Sequence, residues 1–218
     1  MRYWWKALAV LLLIYTLIGG FLIEVPKQVI LYESIRNLYF HVPMWFTMIF
    51  LFLLSMINSI KNLSSGSIED DRKAIEFVNV GIIFGILGTL TGSIWAKFTW
   101  GAWWTNDVKL NGSAITMLIY LAYVILRGSL EDEQKRARIS AVYNIFAFVL
   151  LVVFIGILPR MTDSLHPGNG GNPGFNNYDL DNNMKLVFYP AVLGWILLGY
   201  WISTIRMRIS RLKENTNS

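Results

Sequence analysis

The chain has no cysteine among its 218 residues. That absence excludes a disulfide scaffold, a thiolate metal site, a thiol nucleophile and a self-attached c-type haem, which needs C-x-x-C-H. Charge is also scarce. Charged residues make up 15% of the chain, against about 25% in a soluble globular domain. Hydrophobic residues reach 55% and mean hydropathy is +0.47, so there is too little polar surface to cover a water-facing core. Histidine occurs only twice.

What the chain has instead is apolar runs, at about 7–23, 43–60, 77–95, 112–126, 139–158 and 186–205. Each approaches the length that crosses a bilayer. The expected fold is an all-α integral membrane protein, a single domain over 1–218 with six transmembrane helices. The first run follows Arg2 and Lys6 like a signal peptide, but no A-x-A site follows it, so a retained signal anchor is expected. A net charge of +5 and a pI near 9.4 could suit nucleic acid. The basic residues flank the apolar runs, however, which fits the lipid bilayer and no nucleic acid. Thirteen of the nineteen Lys and Arg residues lie before the first run, in 61–76 and 127–138, and after 205. The positive-inside rule then places both termini in the cytoplasm and turns 24–42, 96–111 and 159–185 outward.

None of the six runs contains Asp, Glu, Lys, Arg or His. Pumps and ion-coupled transporters need buried ionisable groups along their pathway, so this pattern argues against both. Gly81, Gly85, Gly88 and Gly92 fall near one face of the third run and read as a packing surface rather than a site. The clusters Glu69–Lys73 and Glu131–Arg136 read as solvated cytoplasmic loops. The stretch 166–177 is rich in Pro, Gly and Asn and reads as a mobile outward loop. Its glycine spacing neither follows a strand nor opens a helix, which excludes a dinucleotide site.

The chemistry is therefore expected outside. Trp95, Trp100, Trp103 and Trp104, four of nine tryptophans, fall within ten residues. Were this stretch helical, Trp100, Trp103, Trp104 and Val108 would share one face. It is then either an interfacial aromatic belt or a shelf for a flat apolar ligand. His41 and His166 both lie outward, each beside an apolar run. Two neutral imidazoles flanking an aromatic shelf suit axial ligation of haem iron. Zinc competes, with Asp107 or Asp163 making up its ligand number. Arg36, Lys97, Lys109 and Arg160 are outward cations able to meet propionates. The residues by themselves reach an outward planar-ligand site and no further.

Trp100-Gly101-Ala102-Trp103-Trp104-Thr105-Asn106-Asp107 resembles the "WWD" signature of haem-handling proteins in cytochrome c biogenesis. Its closest form is the CcmC type, W-G-x-W-W-x-W-D-x-R-L. Arg36 to Pro43 resembles that family's segment around its first histidine, and Ser164 to Gly168 its second, L-H-x-G. The resemblance covers roughly residues 30–205. It implies haem binding at the outer face of the bacterial cytoplasmic membrane and delivery to a periplasmic haem chaperone of the CcmE type, without turnover chemistry. The cofactor it implies is haem b, held non-covalently. His41 and His166 then take the axial positions, Trp100, Trp103, Trp104 and Asp107 the platform, and Arg36 a basic position near the first ligand. Asn106 replaces a third tryptophan, and Lys109 replaces an arginine, a point charge for a forked donor. Implied partners are ABC-transporter-like subunits of the CcmA and CcmB types and a small CcmD-type membrane subunit. A CcsA/ResC-type component of cytochrome c synthetase is the related alternative, though such proteins usually have more spans. A metal-dependent membrane enzyme using both histidines and a carboxylate is the unrelated one.

The charge asymmetry makes a prediction. Cysteines placed singly at Asn106 and Asn172 should react with an impermeant thiol reagent in intact cells; reaction only after lysis would reverse the topology.

Overall fold

A computed structural model describes residues 3–27, 30–169, 174 and 180–217. Arg2 and most of the 166–177 stretch (170–173 and 175–177) lie outside the described residues. The described residues form helices joined by short connections: α1 (Trp4–Leu22), a 3₁₀ turn (Tyr32–Asn37), α2 (Leu38–Ser65), α3 (Ile68–Trp100) and α4 (Val108–Gly128). After these, α5 (Glu133–Leu151) runs through a π-helical turn (Val152–Ile157) into the short α6 (Leu158–Met161), and α7 (Asn182–Asn217) closes the chain. Six of these stretches, with α5 to α6 counted as one, are long and apolar enough to cross a membrane. The protein is a multi-pass membrane protein, as its six apolar runs indicate. The helices extend beyond most of those runs, because charged and capping residues at their ends continue the helical turn.

Glycines and caps set the boundaries. Gly66 ends α2 at φ +70°, a left-handed conformation that costs glycine nothing. Ser67 then caps α3 by accepting from the Asp70 amide at 3.4 Å. Glu69, Asp70 and Asp71 in the first turn complement the positive end of the helix dipole. Asp132 caps α5 by accepting from the Lys135 amide at 2.6 Å.

The central packing is α2 against α3, with α5 and α7 closing on α2, α1 on α7 and α4 on α5. A Cβ on Gly81 would stand 2.5 Å from Phe52, one on Gly88 2.9 Å from Trp45, and one on Gly85 2.9 Å from Met48. These distances are shorter than real Cβ contacts, so the glycine face of α3 is filled by α2, joined at Gly85 by Met117 of α4. Met48, Leu51, Phe52, Val78, Val80 and Tyr120 form the middle of the core. A second cluster, around Ile35, Tyr39, Leu180, Met184, Val187 and Phe188, sits at the histidine-bearing end of α2.

One expectation is corrected, and one condition is not met. The 69–73 cluster is not a solvated loop: it forms the first turns of α3, and Asp71 is buried against Arg127 in a two-pronged pair at 2.6 and 2.5 Å. Packing of α4 beside α3 brings the arginine to it. Glu76 and Arg206 pair similarly at 2.6 Å. Nor is the tryptophan stretch one helix. Gly101, at φ +78°, stops α3 just after Trp100, and α4 begins only at Val108. Trp103 and Trp104 therefore sit in a non-helical turn, off the helix that carries Trp100.

Breaking a buried charge pair by removing one partner costs about 3–5 kcal/mol, because the remaining charge loses its counter-ion. Asp71→Ala should destabilise the purified protein by about that amount. Asp71→Ala combined with Arg127→Met should recover most of the loss. Thermal unfolding monitored by size-exclusion chromatography checks both.

Candidate functional site

His41 lies in the first turns of α2, and the backbone of α3 positions its ring. Its Nδ1 is 3.0 Å from the Gly88 carbonyl oxygen and 3.2 Å from Thr91 Oγ1. A carbonyl only accepts, so Nδ1 carries the proton and Nε2 keeps its lone pair. The Thr91 hydroxyl donates back to Leu87 O at 2.8 Å, which leaves its oxygen able to accept from the imidazole. The ring meets Trp95 edge-on at 5.9 Å and Trp45 at 6.4 Å. A Cβ on Gly92 would come within 2.6 Å of the ring, so only glycine leaves the imidazole this seat.

His166 is positioned by a different device. Its Nδ1 is 3.0 Å from Asp107 Oδ1; a carboxylate only accepts, so Nδ1 again donates, and in the neutral ring Nε2 is the nitrogen with the lone pair. The Trp100 ring stands edge-on to it, with centroids 4.8 Å apart. Asp107 is a hub. Its Oδ1 accepts from the Lys109 amide at 2.9 Å and the Leu110 amide at 3.4 Å, capping α4. Its Oδ2 accepts from Ser164 Oγ and the Leu165 amide, both at 2.8 Å. Burial works to raise its pKa. The hydrogen bonds from His166, Leu165 and Ser164 outweigh burial and hold the carboxyl well below the usual range. It is a carboxylate, turned inward to its donors. Asn169 Nδ2 braces the same segment by donating to the carbonyls of Ser164 at 2.7 Å and His166 at 3.1 Å.

The remaining candidates divide. Lys109 donates its ammonium to the Pro167 carbonyl, which ties the start of α4 to the histidine segment. Trp103 and Trp104 are exposed, at 59% and 41%, and so present apolar area outward. Trp104 Nε1 donates to Asn111 Oδ1 at 3.3 Å, and Asn111 Nδ2 to Asn106 Oδ1 at 2.7 Å. Asn106, the departure from the signature, thus holds the turn rather than presenting a ring. Arg36 gives Nη1 to the carbonyls of Gly20 at 2.9 Å and Ile23 at 2.7 Å, and Nε to Glu33 at 2.6 Å. It closes the end of α1, and it lines a cleft with Phe40, Trp95 and Phe98. Lys97 is spent on Gly101 O and Arg160 on Gly156 O.

The structure thus gathers His166, Trp100, Asp107 and Lys109 into one cluster and seats His41 against α3 nearby. The two imidazoles lie within electrostatic reach of each other. Among the described residues, no three His, Asp or Glu side chains are placed to hold a metal ion between them. Sequence reasoning missed Gly88, Thr91 and Gly92 as the seat of His41, and Ser164 as a partner of Asp107. One signal was available: residues 41, 45, 48 and 52 repeat the spacing of glycines 81, 85, 88 and 92.

The hub makes a prediction. Asp107→Asn keeps a capping oxygen, so amide exchange at Lys109 and Leu110 should stay slow while exchange at Leu165 and His166 rises. Asp107→Ala should speed all four, with a capping loss of about 1 kcal/mol. Hydrogen-exchange mass spectrometry separates the two outcomes.

Comparison with known proteins identifies the family. Residues 1–218 match the family model described as CcmC, heme exporter protein C. The chain is 26% identical over 141 residues to the heme exporter protein C of Haemophilus influenzae, covering 65% of this chain and 56% of that protein. It is 24% identical over 129 residues to the Escherichia coli protein of that name, covering 59% and 51%. It is 32% identical over 108 residues to the cytochrome c biogenesis protein CcsA of Prochlorococcus marinus, covering 48% and 34%. The chain spans about half the length, or less, of these curated relatives. A match that runs the whole length of the chain settles its kinship: it belongs to the heme exporter protein C (CcmC) family.

Proposed function

We propose that the protein holds haem b non-covalently at the outer face of the bacterial cytoplasmic membrane and passes it to a periplasmic chaperone of the CcmE type during cytochrome c maturation. One observation carries this reading. Both imidazoles are tied through Nδ1 to acceptors of the chain, so each neutral ring would offer its Nε2 to an iron. Metal-bound histidines are oriented in this way by their outer partners, and losing such a partner typically costs about 10–100-fold in affinity. His41 and His166 are the axial ligands. Trp100, Trp103 and Trp104 supply the apolar area against which a macrocycle lies. Asp107 acts through His166 rather than on the haem. Iron held between two imidazoles has no open coordination position, which suits carriage rather than turnover.

The two ligands play unequal parts. His41 is fixed by a helix backbone and packed between two tryptophans, so it anchors. His166 sits on a segment that Asp107, Ser164, Lys109 and Asn169 hold by polar contacts, so its release opens the site for transfer. Both termini lie in the cytoplasm. Subunits of the CcmA, CcmB and CcmD types complete the assembly. The similarity to CcsA fits the same haem-handling chemistry on a chain much shorter than that relative.

Absorption spectra of purified variants test the assignment. His166→Ala should retain weakly bound haem with an open position that added imidazole fills. His41→Ala should lose more haem, and either should block maturation in cells. Trp103→Ala or Trp104→Ala should lower haem content by a few-fold, as expected for about 0.5–1.5 kcal/mol of aromatic contact, without altering the coordination spectrum. Six-coordinate haem and normal maturation in both histidine variants would overturn the reading.

A further inference from the structure

A groove far from the histidines runs along the membrane-facing side of the bundle, between the end of α4 and the first half of α5. It encloses about 510 Å³ and is lined by Leu126, Arg138, Ile139, Val142, Tyr143 and Phe146. The four α5 positions from Ile139 to Phe146 follow the i, i+3, i+4, i+7 spacing of one helix face. The Tyr143 hydroxyl donates to Ile119 O at 3.1 Å, so the floor is pinned and its polar atom is already satisfied. Phe146 is 66% exposed and forms the outer wall.

The only charge on this groove is Arg138. Among the described residues, no acid pairs with it and no acceptor of the chain takes its protons. Its basic neighbours are engaged, Arg127 with Asp71 and Arg136 with Glu133. An arginine at a membrane boundary lays its methylene stem along apolar surface and keeps its guanidinium at the interface. Arg138 stands at the end of the bundle that carries the charged 127–138 connection.

An apolar trough ending in one unpaired guanidinium matches an anionic amphiphile. The geometry points to an anionic phospholipid bound here, an acyl chain along Ile139, Val142 and Phe146 and the phosphodiester on Arg138. Basic pockets between transmembrane helices at the cytoplasmic side take lipid headgroups in this manner, and guanidinium and phosphate match as a forked, charge-assisted pair. The bound lipid braces α4 against α5, the helix pair whose far ends lead to Asp107 and to the His166 segment.

The test uses the delipidated full-length protein in detergent, titrated with phosphatidylglycerol or phosphatidylcholine of matched chains and followed by native mass spectrometry. Phosphatidylglycerol should be retained about fivefold better, the ratio that one interfacial arginine provides. Arg138→Gln should abolish that preference and Arg208→Gln should keep it. Phe146→Trp should weaken retention of both lipids by filling the trough. Inorganic phosphate alone should not compete. Equal retention of the two lipids, an unchanged preference in Arg138→Gln, or displacement by free phosphate would overturn the proposal. So would a photo-crosslinker at Phe146 that captures a polypeptide rather than lipid in native membranes. None of these readouts depends on haem.

Discussion

The missing side chains on one face of α3 are the constraint on which the site rests. Gly81, Gly85, Gly88 and Gly92 leave a trough; Phe52, Trp45 and His41 of the antiparallel α2 fill it at Gly81, Gly88 and Gly92, and Met48 shares the Gly85 position with Met117 of α4. In lipid, helices gain little from burying apolar surface against one another, because the surrounding chains are equally apolar. Close approach and dispersion contacts must hold them instead. The same approach brings His41 to within hydrogen-bond distance of a helix carbonyl. A histidine that faced a bulkier helix surface would be pushed away from Gly88, and its tautomer would be free.

The second histidine shows another solution to the same problem. No helix face is available to it, so a carboxylate gathers the local chain. Asp107 caps α4, holds the Ser164 hydroxyl and the Leu165 amide and orients His166, all with two oxygens. One histidine is thus built into the packed α2–α3 seam, and the other depends on a handful of polar contacts. Local opening follows such differences, since segments with few buried apolar contacts open at lower free energy.

The charges are divided between the two ends. At the end opposite the histidines, Asp71–Arg127, Glu76–Arg206 and Glu69–Arg211 tie α3 to α4 and α7. At the histidine end, the cations Arg36, Lys97, Lys109 and Arg160 donate mainly to backbone carbonyls. One end is thus fastened by side-chain ion pairs between helices. The other is held by side chains closing off helix ends and turns, which leaves the tryptophans of the 101–107 turn facing outward.

The sequence by itself determined the membrane class, the number of spans and the packing role of the glycine face. Each is carried by local composition or by a helical repeat, and neither depends on distant partners. The signature residues and the two histidines were legible in the same way, as a pattern along the chain. Tertiary structure decided what those residues touch. Asp107 reads as part of a platform until Ser164, Leu165 and His166, more than fifty residues away, close around it. The 69–73 cluster reads as a solvated loop until Arg127 arrives from α4. Gly88 and Gly92 read as packing alone until α2 places an imidazole on them. In each case the partner comes from another helix, and a hydrogen bond or an ion pair is a property of two groups that only the assembled bundle brings within 3 Å.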